Sequence, residues 1–253
     1  MFVPRGTKAA LIFITGTMSN ILWLRSICSK NGIGLSEEQG RLLGAYVSLL
    51  LRFTQQVNLI SRKDEENVWE RHILHSIAPL FKLTFADNLE ILDLGTGGGL
   101  PGVPLKILLP TSKFTLVDSI QKKVTVVDKI IYSLGLQGIS VVCSRAEDLP
   151  KNPKFKHGFD VVIARAVAPL KHLVRWSDNL VKRDFQEPRE ESTANQVTRG
   201  MLVVYKGGNL EKEIFDVNLN TKVKAIEETP LVFHGSESLA LMDKKIVLVK
   251  FSA

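Results

Sequence analysis

The chain has 253 residues, 45% of them hydrophobic and 23% charged, enough for one sizeable core or a core plus a small appendage in a folded, soluble α/β or α+β protein. A net charge of +7 and an isoelectric point near 9.4 favour nucleic acid or anionic lipid as a partner without requiring either. Two distant cysteines, Cys28 and Cys143, exclude a disulfide framework and a zinc knuckle, and no segment reaches the roughly 18 apolar residues that cross a bilayer.

Residues 1–17 hold basic residues and a short apolar run with no clean cleavage site, and they read as a disordered or mis-annotated extension, with Met18 as the start. Residues 18–85 read as a helical N-terminal lobe. Ser36 and Gln39 have capping-box spacing, and Leu42, Leu43, Tyr46, Leu49, Leu50 and Phe53 follow at helical intervals. A second helix is expected from Asp64 through Phe81, with Val68, Trp69, Ile73, Ile77 and Leu80 on its apolar face. It carries His72 and His75 at metal-compatible spacing but no third ligand, so no metal is expected. Arg71 and His72 are expected to pack or hydrogen-bond between the lobe and the sheet.

From residue 86 onward short β-rich runs alternate with helical stretches: LEILDL, FTLVDS, ISVVCS, FDVVIA, GMLVVYK, TKVKAIEE and KKIVLVKF. This pattern predicts a doubly wound, mostly parallel sheet, with the last two strands antiparallel. Residues 182–200 read as an exposed loop, and Cys143 as a buried thiol.

The stretch ILDLGTGGGLPGVPL, residues 91–105, joins the first long strand to a helix. Glycines there permit positive φ, and unpaired N–H groups are expected at the following helix start. Two templates fit. Gly97-x-Gly99-x-x-Gly102 matches the dinucleotide fingerprint, and Asp93-x-Gly95-x-Gly97-x-Gly99 matches the acid-plus-glycine turn of S-adenosylmethionine enzymes. A Walker-type phosphate loop is excluded, because no Gly-Lys-Ser/Thr ending follows. Asp118 ends the next strand and suits the two ribose hydroxyls of an adenosine in either case. Asp93 favours the second template, since a carboxylate opposes a pyrophosphate but suits a methionine ammonium. The backbone of Ala146 and Glu147 is placed to meet an adenine edge.

The motifs NLISRKDEENVWERHILHSI, ILDLGTGGGLPGVPLKILLP, FTLVDSIQKKV, SRAEDL, FDVVIARAVAPL and VYKGGNLEKEI occur in this order. Through them the chain resembles the bacterial small-subunit ribosomal RNA guanine-N7 methyltransferase family, also called glucose-inhibited division protein B, over roughly residues 35–250. The resemblance implies a seven-stranded Rossmann-like S-adenosylmethionine methyltransferase sheet over residues 86–253 behind the helical lobe. It implies S-adenosylmethionine as cofactor and small-subunit ribosomal RNA or the subunit particle as partner, in the cytoplasm, with no membrane and no particular oligomer. Carried over by motif, Gly95, Leu100, Asp118, Ala146, Glu147 and Arg165 contact the donor, beside the Asp93 and Gly97 turn. Arg145, Arg165 and Lys206 lie on the rim where RNA arrives. The chain departs from the family in the residues before Met18, in the length of the 182–200 loop, and at Gly98, where proline is frequent. No catalytic base is expected, because guanine N7 already carries a lone pair. A methyltransferase for a small molecule or protein, and a non-enzymatic RNA-binding scaffold, are the competing readings.

Overall fold

The computed structural model describes residues 5–183, 195–218, 222–237, 239 and 242–252. Helix α1, Arg5–Lys30, leads into α2, Glu37–Thr54. Ser36 starts α2 with a closed capping box: its hydroxyl accepts from Gln39 N at 3.1 Å, and Gln39 Oε1 accepts from Ser36 N at 2.9 Å. Residues 5–17, set apart in the sequence reading as an extension, form the first half of α1; residues 1–4 lie outside the described residues.

The expected regular helix over 64–81 is instead a broken helical path. A 3-10 turn, Arg62–Asp64, precedes a π-helical stretch, Trp69–Leu74, which passes through α3, His75–Ile77, into a second 3-10 turn, Ala78–Phe81. The His75 amide reaches back to Glu70 O, one residue further than in an α-helix. This wider turn keeps Trp69, Ile73, Leu74 and Ile77 in the core while His72 and His75 both reach the same cavity wall.

Among the described residues nine strands follow: β1 Thr84–Phe85, β2 Glu90–Leu94, β3 Lys113–Asp118, β4 Ile139–Cys143, β5 Val161–Arg165, β6 Gln196–Val197, β7 Met201–Gly207, β8 Val223–Pro230 and β9 Lys244–Phe251. They are interleaved with α4 Gly102–Leu108, α5 Gln121–Leu134, α6 Leu170–Ser177 and α7 Glu211–Asn218. All seven strands expected from the sequence join one sheet, in the order β4-β3-β2-β5-β7-β9-β8. Its pairs are parallel except those of β9, which is antiparallel to both β7 and β8. β1 and β6 form a separate parallel ribbon, so part of the expected 182–200 loop is a strand, and residues 184–194 lie outside the described residues.

The two faces of the sheet bury different cores, as the period of a strand requires. Ile91, Val161, Ile163, Val203, Tyr205 and Leu248 pack against α1, α2, α4 and the 69–81 path. Leu92, Leu94, Val162, Ala164, Leu202 and Val247 pack against α6 and α7. The helical lobe of residues 18–85 therefore shares a continuous core with the sheet. Cys28 is buried in that core, with its thiol pushed up to about 11 by burial. Cys143, expected to be buried, is exposed, because β4 is an edge strand and the residue sits at its end. Among the described residues, no helix is long and apolar enough to cross a membrane.

Gly102 opens α4 against β2 and β3, and a Cβ there would lie 2.2 Å from Leu116 Cδ2 and 2.6 Å from Asp93 Oδ2. Gly102→Ala is therefore expected to lower unfolding free energy by about 1–3 kcal/mol. Gly34→Ala, whose Cβ meets nothing within 4 Å, serves as the neutral control in the same urea titration.

Candidate functional site

The turn between β2 and α4 is closed by its own hydrogen bonds. Gly95, Gly97 and Gly99 adopt positive φ. The amides of Gly95 and Thr96 both donate to Val117 O at 2.8 Å, and those of Gly99 and Leu100 to Thr96 O at 3.0 and 2.8 Å. Gly97 N donates to Asp118 Oδ2 at 3.0 Å, Gly102 N to Asp93 Oδ2 at 2.9 Å, and Val103 N to Gly99 O at 2.8 Å. The unpaired amides expected at the start of α4 are thus already taken. A pyrophosphate needs free, convergent N–H groups, so the dinucleotide template loses its physical basis here.

Asp93 is the second departure. It is completely buried, and Oδ2 also accepts from Thr96 Oγ1 at 2.6 Å. Its carboxylate points into the turn and caps α4 from within, while Oδ1 is buried without a partner. Burial pushes its carboxyl up to about 6, against the pull of the Thr96 and Gly102 hydrogen bonds and of Arg165. Asp93 is absent from the cavity wall: the acid expected from the sequence to serve an ammonium, directly or through water, turns inward and holds Thr96 and Gly102.

A cavity of about 650 Å³ lies over this turn, at the C-terminal edge of the parallel strands, where ligands of open α/β sheets sit. Gly95, Gly97 and Leu100 form its floor, and a Cβ at Gly95 would come within 2.5 Å of Val167 Cγ2. Asp118 stands on one side, its Oδ1 and Oδ2 held by the amides of Ile120 and Gly97. Arg165, half-buried at the end of β5, stands on another. Its NH2 lies 3.3 Å from His72 Nδ1, and among the described residues no carboxylate forms an ion pair with it. Because guanidinium only donates, His72 Nδ1 accepts, and the proton of the neutral ring sits on Nε2. Asp64 Oδ2 lies 3.5 Å from that nitrogen, while Asp64 Oδ1 binds Arg71 at 2.6 Å. The expected Arg71–His72 link between lobe and sheet is therefore made through His72.

Burial and the charge of Arg165 hold His72 down at about 4. Burial, Arg165 and Lys244 hold His75 at about 3, with its ring edge-on to Tyr205 at 5.4 Å. Among the described residues, no group of three His, Cys, Asp or Glu side chains converges as metal ligands do.

The structure does not bring the other sequence candidates to this wall. Ala146 and Glu147 line a separate hollow of about 330 Å³ with His172, Arg175 and Trp176. Arg145 is exposed beside them. Lys206, expected on the RNA rim, is largely enclosed, and its ammonium is held by Glu213 Oε2 at 2.7 Å and Ala168 O at 3.2 Å. It ties the loop after β5 to α7, and Glu213 also accepts from Leu170 N. Lys182 and Arg183 are likewise engaged, with Asp160 and Asp178. Sequence reasoning missed Leu59, Ile60, Asp64 and Lys244 as wall residues, together with Tyr46, whose hydroxyl holds Gly98 O at 3.0 Å. Only the NLISRKD motif signalled any of them.

Residues 39–242 match the family described as rRNA small subunit methyltransferase G. The chain is similar to the Ribosomal RNA small subunit methyltransferase G of Bacteroides thetaiotaomicron, 37% identical over 77% of this chain and 87% of that protein. It is also similar to the protein of that name from Chlorobaculum tepidum, 34% identical over 90% of this chain and 97% of the relative. Among solved structures, the CurJ carbon methyltransferase aligns with a TM-score of 0.53 and 13% identity over 93% of this chain and 71% of its own. A structure titled as a predicted O-methyltransferase from Agrobacterium tumefaciens gives 0.52 and 14% over 71% and 81%. At these identities the structural likeness is one of fold.

His72 and His75 titrate near 4 and 3 in the fold against about 6.5 in the open chain. The unfolded chain thus binds more protons below 6.5, and the stability these rings contribute is complete above 6.5 and lost as pH falls toward 4. Asp93, raised to about 6, works in the opposite sense over part of the window but is one group against two. Melting temperature is expected to fall between pH 6.5 and 4, and His75→Phe to flatten that slope, as measured by thermal denaturation across the range.

Proposed function

Because the chain belongs to the rRNA small subunit methyltransferase G family, we infer that it transfers a methyl group from S-adenosylmethionine to N7 of a guanine in 16S ribosomal RNA, in the cytoplasm. One observation carries the donor assignment: a single cavity has a preorganised carboxylate, Asp118, and a guanidinium, Arg165, with no carboxylate partner among the described residues, above a turn most of whose amides are already spent. Asp118 keeps lone pairs for two sugar hydroxyls. Arg165 has no carboxylate partner among the described residues, and a partly buried cation favours an incoming oxyanion, either the carboxylate of the donor's amino-acid end or an RNA phosphate. The residues present thus fit a nucleoside with an amino-acid tail and do not fit a pyrophosphate.

Bound S-adenosylmethionine supplies an electrophilic methyl group on a sulfonium sulfur. The chain's part is to position and to exclude water. Leu59, Ile60, Leu100 and Val167 give the cavity apolar walls. No side chain needs to remove a proton, since N7 attacks with its own lone pair while the methyl–sulfur bond breaks and its electrons return to sulfur. The base becomes cationic, so added positive charge beside it opposes the reaction. His72 and His75, both neutral at pH 7, respect that requirement. Arg71, Lys123 and Lys244 on the cavity wall supply attraction for phosphates.

Incubation with labelled donor and small subunits from cells lacking the modification is expected to label one guanine at N7, read by mass spectrometry of the RNA. Subunits that acquire no label overturn the assignment. Asp118→Ala is expected to weaken donor binding about tenfold or more in calorimetry. RNA capture is expected to fall steeply with salt, which a small-molecule enzyme does not show.

A further inference from the structure

The contact between His72 and Arg165 crosses from the lobe to the end of β5, and it joins two groups whose chemistry is complementary in only one protonation state. Arg165 has several N–H donors and no carboxylate partner among the described residues. His72 offers one acceptor, Nδ1, at 3.3 Å. The π-helical turn sets the ring facing that guanidinium, and Asp64, itself tied to Arg71, stands beyond Nε2 on the far side of the ring. We propose that His72 is a positioning residue: its neutral ring takes one Arg165 N–H at Nδ1 and thereby aims the remaining guanidinium donors into the cavity. Burial, Arg165 and Arg71 disfavour a proton on the ring, His75 on the next turn is neutral, and the opposing pull of Asp64, 3.5 Å from Nε2, is outweighed.

The assignment rests on the methyltransferase reading only in taking the cavity as the reactive site. A double-mutant cycle tests it. His72→Phe, His72→Asn, Arg165→Ala and the His72→Phe/Arg165→Ala double variant are compared with the parent for donor affinity by calorimetry, RNA affinity by filter retention, and melting temperature. Asparagine keeps an acceptor near the place of Nδ1; phenylalanine keeps only the ring. The expected result is that H72F and R165A each weaken the same ligand, donor or RNA, about tenfold or more. The double variant is expected to be no weaker than R165A, and H72N to stay within about threefold of the parent. Melting temperatures are expected to remain close to the parent's.

Losses that multiply in the double variant overturn the proposal, as does an H72N variant as impaired as H72F. If the parent methylates no 16S RNA, the functional reading falls, whereas the binding cycle still decides the role of His72.

Discussion

A single buried carboxylate sets the geometry of this site. Asp93 points from β2 toward the lobe side of the sheet, where Oδ2 gathers the hydroxyl of Thr96 and the amide of Gly102. Taking a carboxylate fully out of water is costly, and its raised pKa records that cost. The return is a turn most of whose amides are consumed internally, with Gly97 N delivered to Asp118. The same arrangement that leaves the turn few amides for a phosphate fixes Asp118 at the cavity wall. The side chains that face the cavity are thus set one layer beneath its surface.

The lobe and the sheet are one body because they bury a single core. Tyr46 of α2 reaches the turn, Tyr205 of β7 donates to Ser76 O beside the π-helical stretch at 2.5 Å, and His72 meets Arg165. The cavity lies where these contacts meet, so its walls come from segments far apart in the chain. Two neutral histidines next to two cations follow from that position, since burial and local field both disfavour their protonated forms.

Much of this was legible in the sequence where the governing interaction is local. The Ser36–Gln39 capping box and the helical spacing of Leu42 through Phe53 needed no tertiary information, and seven strands followed from short β-rich runs alternating with helical stretches. The path from Asp64 to Phe81 was read as one helix because its apolar spacing fits either an α-helix or a helix with a π-turn, and only packing chooses. Lys206 was read as a rim cation because its partner, Glu213, lies on a helix beyond a turn whose direction a sequence does not give. Asp93 and Asp118 were both recognised as important acids. Which of them faces ligand depends on side-chain direction at the ends of neighbouring strands, and that is a three-dimensional fact.

The placement of β9 has a consequence for how the gene can be damaged. This strand follows β8 in the chain, yet it lies between β7 and β8, pairing with both, and the wall residue Lys244 is its first position. A nascent chain must keep β7 and β8 apart until β9 arrives to fill the gap. A nonsense codon just before Lys244 spares nearly every residue named above, yet it leaves β7 with an open edge and β8 with no strand partner, so it is expected to act as a loss of the whole fold.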